Sequence, residues 1–145
     1  MNRLVLDTNV RISSLLSEYG TCRKLTNAAR QSPFVQVVSH ALMAELRETL
    51  IDKFRWPEDR VGRAIEDSFY GVEIVTPELR LNVCRDPDDN RVLECALAGH
   101  ADLIITGDQD LLTLDPFKNI RIISVRDFMN RLVDQAPDNR PNPLP

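Results

Sequence analysis

Four acidic residues stand at the points of this sequence where an alternating pattern of strands and helices would bring them together. They are Asp7, Glu45, Asp89 and Asp108. Two like charges about 4 Å apart repel each other by roughly 1 kcal/mol in water and by about 4 kcal/mol near a protein surface. A tight group of four carboxylates must therefore protonate, spread apart or bind a cation. Because all the ligand atoms would be oxygens, the group predicts a site for Mg²⁺ or Mn²⁺.

The elements that would position these residues can be read from the periodicity of the apolar side chains. Short apolar and β-branched runs predict strands at residues 4–6, 35–38, 73–75, 103–105 and 120–123. Apolar residues at three- and four-residue spacing predict helices at residues 21–30, 41–53, 57–69, 88–98 and 125–133, with a short helix at 109–114. This alternation predicts an α/β fold, a parallel sheet with helices on both faces.

Ligands of such sheets bind beyond the carboxyl ends of the strands, and the four acids fit that rule. Asp7 directly follows the first strand, and Asp108 follows the fourth strand after Gly107, which we expect to allow a sharp turn. Glu45 falls near the second turn of the helix after the second strand. Asp89 falls in the first turn of its helix. Four separate segments thus supply one carboxylate each to the same edge.

Three of the four acids also have a structural interpretation. Asp89 could complement the dipole of the helix in whose first turn it lies. Asp86 before Pro87 is a good helix N-cap, Asp108 could cap the short helix that follows it, and Glu45 could lie on an exposed helix face. Asp7 has no such easy alternative. It ends an apolar strand at the centre of the sheet, where burial of a carboxylate without a charged or metallic partner is costly.

Composition bounds the function without specifying it. The chain has 145 residues, 43% of them hydrophobic, which is typical of a single globular domain. The net charge of −4 argues against a protein that coats nucleic acid through bulk positive charge. A nuclease is not excluded, because bound metal restores local attraction for phosphate. Only three of the 18 basic residues are lysines, and we interpret most of the arginines as solvated residues on helix faces.

The three cysteines indicate a reducing compartment. Cys22, Cys84 and Cys95 are odd in number and have no CxxC spacing, so they predict reduced thiols rather than disulfides or a zinc site. Neither a signal-peptide pattern nor a membrane-spanning stretch is evident. We therefore expect a cytoplasmic protein that makes no membrane contact.

Four segments together resemble the PIN-domain nucleases. They are residues 6–10 (Leu-Asp-Thr-Asn-Val), the helix at 39–50 that carries Glu45, residues 86–99 and residues 101–112. No single motif is specific, but their order and spacing are. The similarity runs from residue 4 to about residue 132. It is closest to the branch of toxin components of toxin–antitoxin systems, related to the VapC-type ribonuclease toxins.

The resemblance implies a five-stranded parallel sheet in a three-layer α/β/α sandwich over residues 1–134. Residues 135–145 contain four prolines and almost no apolar residues, so their composition predicts a Pro- and Asn-rich tail that is disordered or laid against a partner. The resemblance also implies a metal-dependent endoribonuclease using Mg²⁺ or Mn²⁺, with RNA as substrate, an antitoxin protein as partner, and a homodimer. By position, the four acids match the catalytic and metal-binding tetrad of the family. Further matches are Asp110 as an auxiliary metal ligand, Asn9 and Thr106 as supporting polar residues, and Asp86 of the Asp-Pro motif.

One residue departs from the family pattern. Arg11 stands where relatives usually carry an apolar residue, four positions after Asp7. We expect its guanidinium to reach the rim of the carboxylate site. There it would either contact substrate phosphate or neutralise the carboxylates in place of a metal. A third interpretation is that Arg11 is an ordinary surface residue.

Two other functions remain open at this stage. A haloacid-dehalogenase-like phosphatase also begins with an Asp after its first strand, but it needs a second Asp two residues later, where this chain has Asn9. A catalytically silent PIN-like module that binds nucleic acid or protein would keep the fold. The presence of all four acids favours the enzyme.

Overall fold

The computed structural model describes residues 2–135, so the predicted tail, apart from Gln135, lies outside the described residues. Strands and helices alternate along this part of the chain. Their order is β1 (Arg3–Leu6), α1 (Thr8–Leu16), α2 (Thr21–Ala29), β2 (Val35–Val38), α3 (His40–Asp52), α4 (Glu58–Phe69), β3 (Glu73–Ile74), α5 (Pro87–Ala98), β4 (Leu103–Ile105), α6 (Gln109–Leu112), β5 (Arg121–Ile123) and α7 (Val125–Gln135).

The five strands form one parallel sheet in the order β3-β2-β1-β4-β5. Strand β1 is central, and Leu6 at its end is in register with Ile105 at the end of β4. The backbone N–H of Asp7 extends this pairing by donating to the carbonyl of Ile105 at 3.0 Å. The carboxyl ends of β1 and β4 therefore lie side by side, as the sequence predicts.

Alternate residues of β1 bury their side chains in different layers. Val5 packs with Val92 and Leu93 of α5. Leu4 and Leu6 pack on the opposite face with residues of α2 and α7, among them Leu25 and Phe128. The predicted α/β/α sandwich with a five-stranded parallel sheet is confirmed.

A third apolar cluster joins α3 and α4 to α1. Ile12 of α1, Leu46 of α3 and Val61 of α4 are buried together. This packing fixes α3 beside the start of α1. It thereby brings Glu45 of α3 toward the residue that ends β1.

The pattern of the sequence misses one helix, α1. Thr8, Val10 and Ile12 are β-branched, and β-branched side chains are weak helix formers. All three are buried, so tertiary packing overrides local propensity. The other predicted elements are present with ends shifted by at most two residues, and α7 runs to Gln135, one residue past the predicted domain end. Within residues 2–135, no helix combines the length and apolar character needed to cross a membrane.

Candidate metal centre

The first carboxylate, Asp7, is held at the junction of β1 and α1. It is 5% exposed, and its Oδ2 accepts a hydrogen bond of 2.7 Å from Thr106 Oγ1. The same hydroxyl oxygen accepts the backbone N–H of Asp108 at 3.0 Å. Thr106 therefore ties the end of β1 to the turn after β4 and fixes the position of Asp7 relative to Asp108.

Asp108 has both of the roles that the sequence left open. Its Oδ1 accepts the backbone N–H of Asp110 at 2.8 Å, so the expected capping of α6 is confirmed. Asp108 also belongs to a group with Asp89 and Asp110, in which one carboxylate oxygen of each residue lies within 4.8 Å of the others. Three oxygens at this spacing could coordinate one divalent cation.

Asp89 is the most deeply buried residue of this group. Its side chain is 6% exposed, and its Oδ2 is buried without a hydrogen-bond partner. A buried oxygen without a partner is costly, since it has lost its water and gained nothing in exchange. Burial, followed by the charges of Asp108, Asp86 and Asp7, raises the pKa of Asp89 to about 7. A bound cation would offset both the cost of burying this carboxylate and its repulsion by the neighbouring acids, so the residues present fit a metal ion.

Asp7 and Glu45 lie outside the group of 4.8 Å. Asp7 interacts electrostatically with Asp108 and Asp89 of the group, and Glu45 interacts with Asp7. Burial raises the pKa of Asp7 although the hydrogen bond from Thr106 opposes the change, and the charge of Asp108 raises it further. Glu45 is half-buried on α3, where its Oε2 accepts a hydrogen bond of 2.8 Å from Thr8 Oγ1. Burial raises the pKa of Glu45 to about 6, and the nearby acids, including Asp7, add to the shift.

These five carboxylates, which we call the acidic crevice, are Asp7, Glu45, Asp89, Asp108 and Asp110. The structure thus brings together all four predicted acids and the predicted auxiliary acid at one edge of the sheet. Their shared effect is visible in the raised pKa values of Asp7, Glu45 and Asp89.

The remaining predicted residues have smaller parts. Asp86 caps α5 by accepting the backbone N–H of Asp88 at 2.9 Å, which confirms the capping interpretation. Asn9 has an exposed side chain, and its backbone N–H favours the ionised form of Asp7. The expectation for Gly107 is wrong. Its φ is not positive and a Cβ there would meet nothing within 4 Å, so the turn does not require glycine.

The expected position of Arg11 at the rim of the carboxylates is also wrong. Its side chain is buried between elements, where NH2 donates to Gln36 Oε1 at 2.9 Å and NH1 donates to the carbonyl of Ser68 at 3.4 Å. The guanidinium carbon lies 4.7 Å from the centroid of the Phe69 ring. Because α1 turns this side chain toward β2 and the end of α4, Arg11 does not neutralise the acidic crevice.

Two residues that contact carboxylates of the acidic crevice were not identified from the sequence. Thr8 donates a hydrogen bond to Glu45. The only sign of this role in the sequence was that Thr8 directly follows Asp7, because the helix that it begins, α1, was not predicted. Arg85 pairs with Asp110 through contacts of 3.0 and 3.2 Å. Its guanidinium side chain is highly exposed, so the ion pair is weak and can open when Asp110 takes another partner.

Solved structures share this fold at low sequence identity. VapBC2 from Rickettsia felis, bound to a DNA fragment from its promoter, aligns with a TM-score of 0.62 at 12% identity and covers 84% of this chain and 98% of that chain. VapC20 of Mycobacterium tuberculosis, a toxin that cleaves the sarcin-ricin loop, aligns with a TM-score of 0.56 at 15% identity. That alignment covers 81% of this chain and 98% of VapC20.

Sequence comparison identifies the family. An uncharacterised protein of Methanocaldococcus jannaschii is 32% identical over 129 residues, a span that covers 85% of this chain and 82% of the relative. The sequence profile of the PIN domain matches residues 3–110, which include all five carboxylates of the acidic crevice. This match argues against the phosphatase alternative. The chain belongs to the PIN-domain family.

Proposed function

We propose that this protein is a metal-dependent endoribonuclease that hydrolyses RNA phosphodiesters in the acidic crevice. The observation that supports this most is the grouping of Asp89, Asp108 and Asp110, which each place one carboxylate oxygen within 4.8 Å of the others. The carboxylate of Asp89 also has a buried Oδ2 without a hydrogen-bond partner. Such a group of carboxylates is destabilising by itself and becomes favourable when Mg²⁺ or Mn²⁺ is bound.

The chain's own residues divide into those that hold the cation and those that handle a proton. Asp89, Asp108 and Asp110 supply the ligand oxygens, and Asp7 completes the negative site from the end of β1. When bound, divalent cations activate water and stabilise charge on the leaving oxygen of a phosphodiester. Glu45 has a pKa of about 6 and one oxygen anchored by Thr8. Its Oε1 could therefore accept a proton from water near neutral pH, which is the work of a general base.

We further propose that the protein is the toxin of a toxin–antitoxin pair and works in the cytoplasm. The fold shared with VapBC2 and with the toxin VapC20 supports this role. An antitoxin protein and a second copy of the chain are the partners that the proposal names. The three cysteines are free thiols, as in proteins of a reducing compartment.

The decisive experiment is a cleavage assay on purified protein with labelled RNA. Cleavage in Mn²⁺ or Mg²⁺, its loss in EDTA and its absence in Asp7→Asn would support the nuclease. If wild type and Asp7→Asn cleave equally, the activity comes from a contaminating enzyme. If RNA binds without being cleaved in either metal, the chain is a silent binding module and the proposal is wrong.

A further inference from the structure

A second polar concavity lies away from the acidic crevice, between α1, α2 and α4. It has a volume of about 720 Å³. Five arginines line it, and we call it the arginine cavity: Arg11, Arg23, Arg30, Arg60 and Arg63. The only acids on its wall are Glu66 and Asp67, so the lining carries an excess of positive charge in a chain whose net charge is −4.

The guanidinium groups of this cavity are oriented without being neutralised. Arg23 Nε donates to the carbonyl of Ser14 at 2.8 Å, and Arg30 NH2 donates to the main-chain carbonyl of Asp67 at 2.7 Å. Neither of these contacts is an ion pair. Among the lining residues, none of the arginines forms a salt bridge with Glu66 or Asp67. Arg63 does contact Asp59, but at 3.7 Å between two highly exposed side chains.

Arg11 shows that the positive charge is costly. It is 5% exposed, and its hydrogen-bond acceptors are the amide of Gln36 and the carbonyl of Ser68. Burial and then the charge of Arg30 lower the pKa of Arg11 to about 10. A buried cation without a counter-ion is destabilising, and a bound anion would offset this cost by pairing with the guanidinium charge.

Aromatic side chains lie beside the arginines and indicate which class of anion the cavity would bind. The Arg60 guanidinium stacks on Trp56, its carbon 3.6 Å from the ring centroid, and Tyr70 is 83% exposed on the same wall. Guanidinium forks match the oxygens of a phosphate. Aromatic rings and guanidinium planes stack on nucleic-acid bases. We propose that the arginine cavity binds a nucleotide unit of an RNA strand through its phosphate, as a contact site separate from the acidic crevice.

The separation of the two sites follows from the sheet. Gln36, which holds Arg11, is in register with Leu4 of β1, whereas Asp7 follows Leu6, the last residue of that strand. No arginine of the cavity appears among the causes of the pKa shifts of Asp7, Glu45 or Asp89. The naming of RNA as the ligand rests on the proposed function, but binding can be measured without cleavage.

The test is fluorescence anisotropy of a labelled single-stranded RNA with the full chain in EDTA, where metal-dependent cleavage is absent. The variant is the double substitution Arg30→Gln with Arg60→Gln, because both residues are exposed and their loss does not open the core. The matched control is Arg80→Gln, which removes one exposed arginine from the segment that packs, through Leu81, on the α5 side of the sheet. Adenosine 5′-monophosphate and a ten-residue polyglutamate peptide serve as competitors.

We expect the double variant to bind RNA about tenfold more weakly than wild type, since charged hydrogen bonds to phosphate are lost. The slope of log affinity against log salt should fall by about 0.7 for each phosphate contact removed from a single strand. Arg80→Gln should bind like wild type. In the cleavage assay with Mn²⁺, the double variant should show a raised KM with an unchanged kcat, because this contact is equal in ground and transition states.

Three results would overturn the proposal. A loss in Arg80→Gln that is as large per removed charge as the loss in the double variant would mean bulk electrostatics and no specific site. Saturation by adenosine 5′-monophosphate, with no tighter binding by the RNA, would assign the cavity to a free nucleotide. Displacement of RNA by polyglutamate at lower concentration than by unlabelled RNA would assign it to an acidic protein segment. Failure of cleavage alone, with binding as expected, would count against the nuclease and leave the arginine cavity as an RNA site.

Discussion

The acidic crevice and the arginine cavity carry opposite charges and arise in different ways. Four of the five carboxylates of the crevice stand at strand ends or helix starts, which the topology of a parallel sheet brings to one edge. The fifth, Glu45, is brought there by the packing of α3 beside α1. The arginines of the cavity come from α1, α2 and α4 and are linked by no motif. Both regions hold like charges that burial makes unfavourable, as the shifted pKa values of Asp89 and Arg11 show. Each region therefore favours a ligand of the opposite sign, a cation in one and a phosphate in the other.

The largest expected effect separates catalysis from binding. Asp89→Asn should lower RNA cleavage in Mn²⁺ by at least about a hundredfold, because it weakens the metal ligand set and several kcal/mol of transition-state stabilisation are lost with the metal. RNA binding in EDTA should not weaken, since the arginine cavity is untouched. The measurements are single-turnover cleavage and anisotropy on the same preparation.

Asp52→Asn is the matched control for this substitution, because Asp52 is exposed at the end of α3. It should cleave like wild type. Loss of cleavage in Asp89→Asn together with loss of folded structure by circular dichroism would break the comparison. Asp89 would then be a structural residue of α5 rather than a ligand.

The next effect concerns stability. Mn²⁺ should raise the melting temperature of wild type. When the free metal concentration is 100 times the dissociation constant, the unfolding free energy should increase by about 2.7 kcal/mol. Asp89→Asn should melt higher than wild type in EDTA and gain little from Mn²⁺, because one repulsive charge is already gone. Differential scanning fluorimetry with a Mn²⁺ titration measures both. Ca²⁺-free NaCl at equal ionic strength is the control for screening of the carboxylate charges by salt alone. An unchanged melting curve in Mn²⁺ would contradict a metal site.

How much of this could be read from the sequence depends on whether a residue's neighbours are set by topology. Asp7 and Asp108 were predictable, because adjacent parallel strands must end at the same edge. Helix α1 was not, since its β-branched residues disfavour a helix until packing buries them. Arg11 was misplaced for the same reason. The sequence does not give the rotation of α1 about its axis. It therefore cannot show that the side chain of Arg11 faces Gln36 rather than Asp7.

The arginine cavity could not be predicted from the sequence. Arginines on helix faces are usually solvated, and only tertiary packing shows that five of them share one concavity. Thr8 gave a partial signal because it adjoins Asp7, but its bond to Glu45 requires the contact between α1 and α3. Sequence therefore predicts sites at strand ends better than sites between helices.

The pH dependence of stability in EDTA should sharpen the contrast. The folded-state pKa of Asp89 is raised to about 7 from a value of 3.8, so this group stabilises the fold fully below pH 3.8 and the contribution disappears as pH rises through 7. The unfolding free energy of wild type, measured relative to Asp89→Asn, should accordingly fall between pH 4 and pH 7. Urea unfolding at fixed ionic strength measures the difference, and the common titration of all other groups cancels. A constant difference over this range would mean that Asp89 is not held among other carboxylates.

The smallest effect should come from Thr106→Val. The hydroxyl of Thr106 donates to Asp7 Oδ2 at 2.7 Å and accepts the N–H of Asp108 at 3.0 Å, so it favours the ionised form of Asp7 and links two segments of the crevice. Valine keeps the shape and β-branching but removes both bonds. The pKa of Asp7 should rise further, and the acidic limb of the cleavage profile in Mn²⁺ should move to higher pH. Thr21→Val, at an exposed position at the start of α2, should leave the profile in place. A lower rate at every pH without any shift would mean that Thr106 only positions the strand ends, whereas a shift confined to Thr106→Val would show that charge on Asp7 is what the acidic crevice uses.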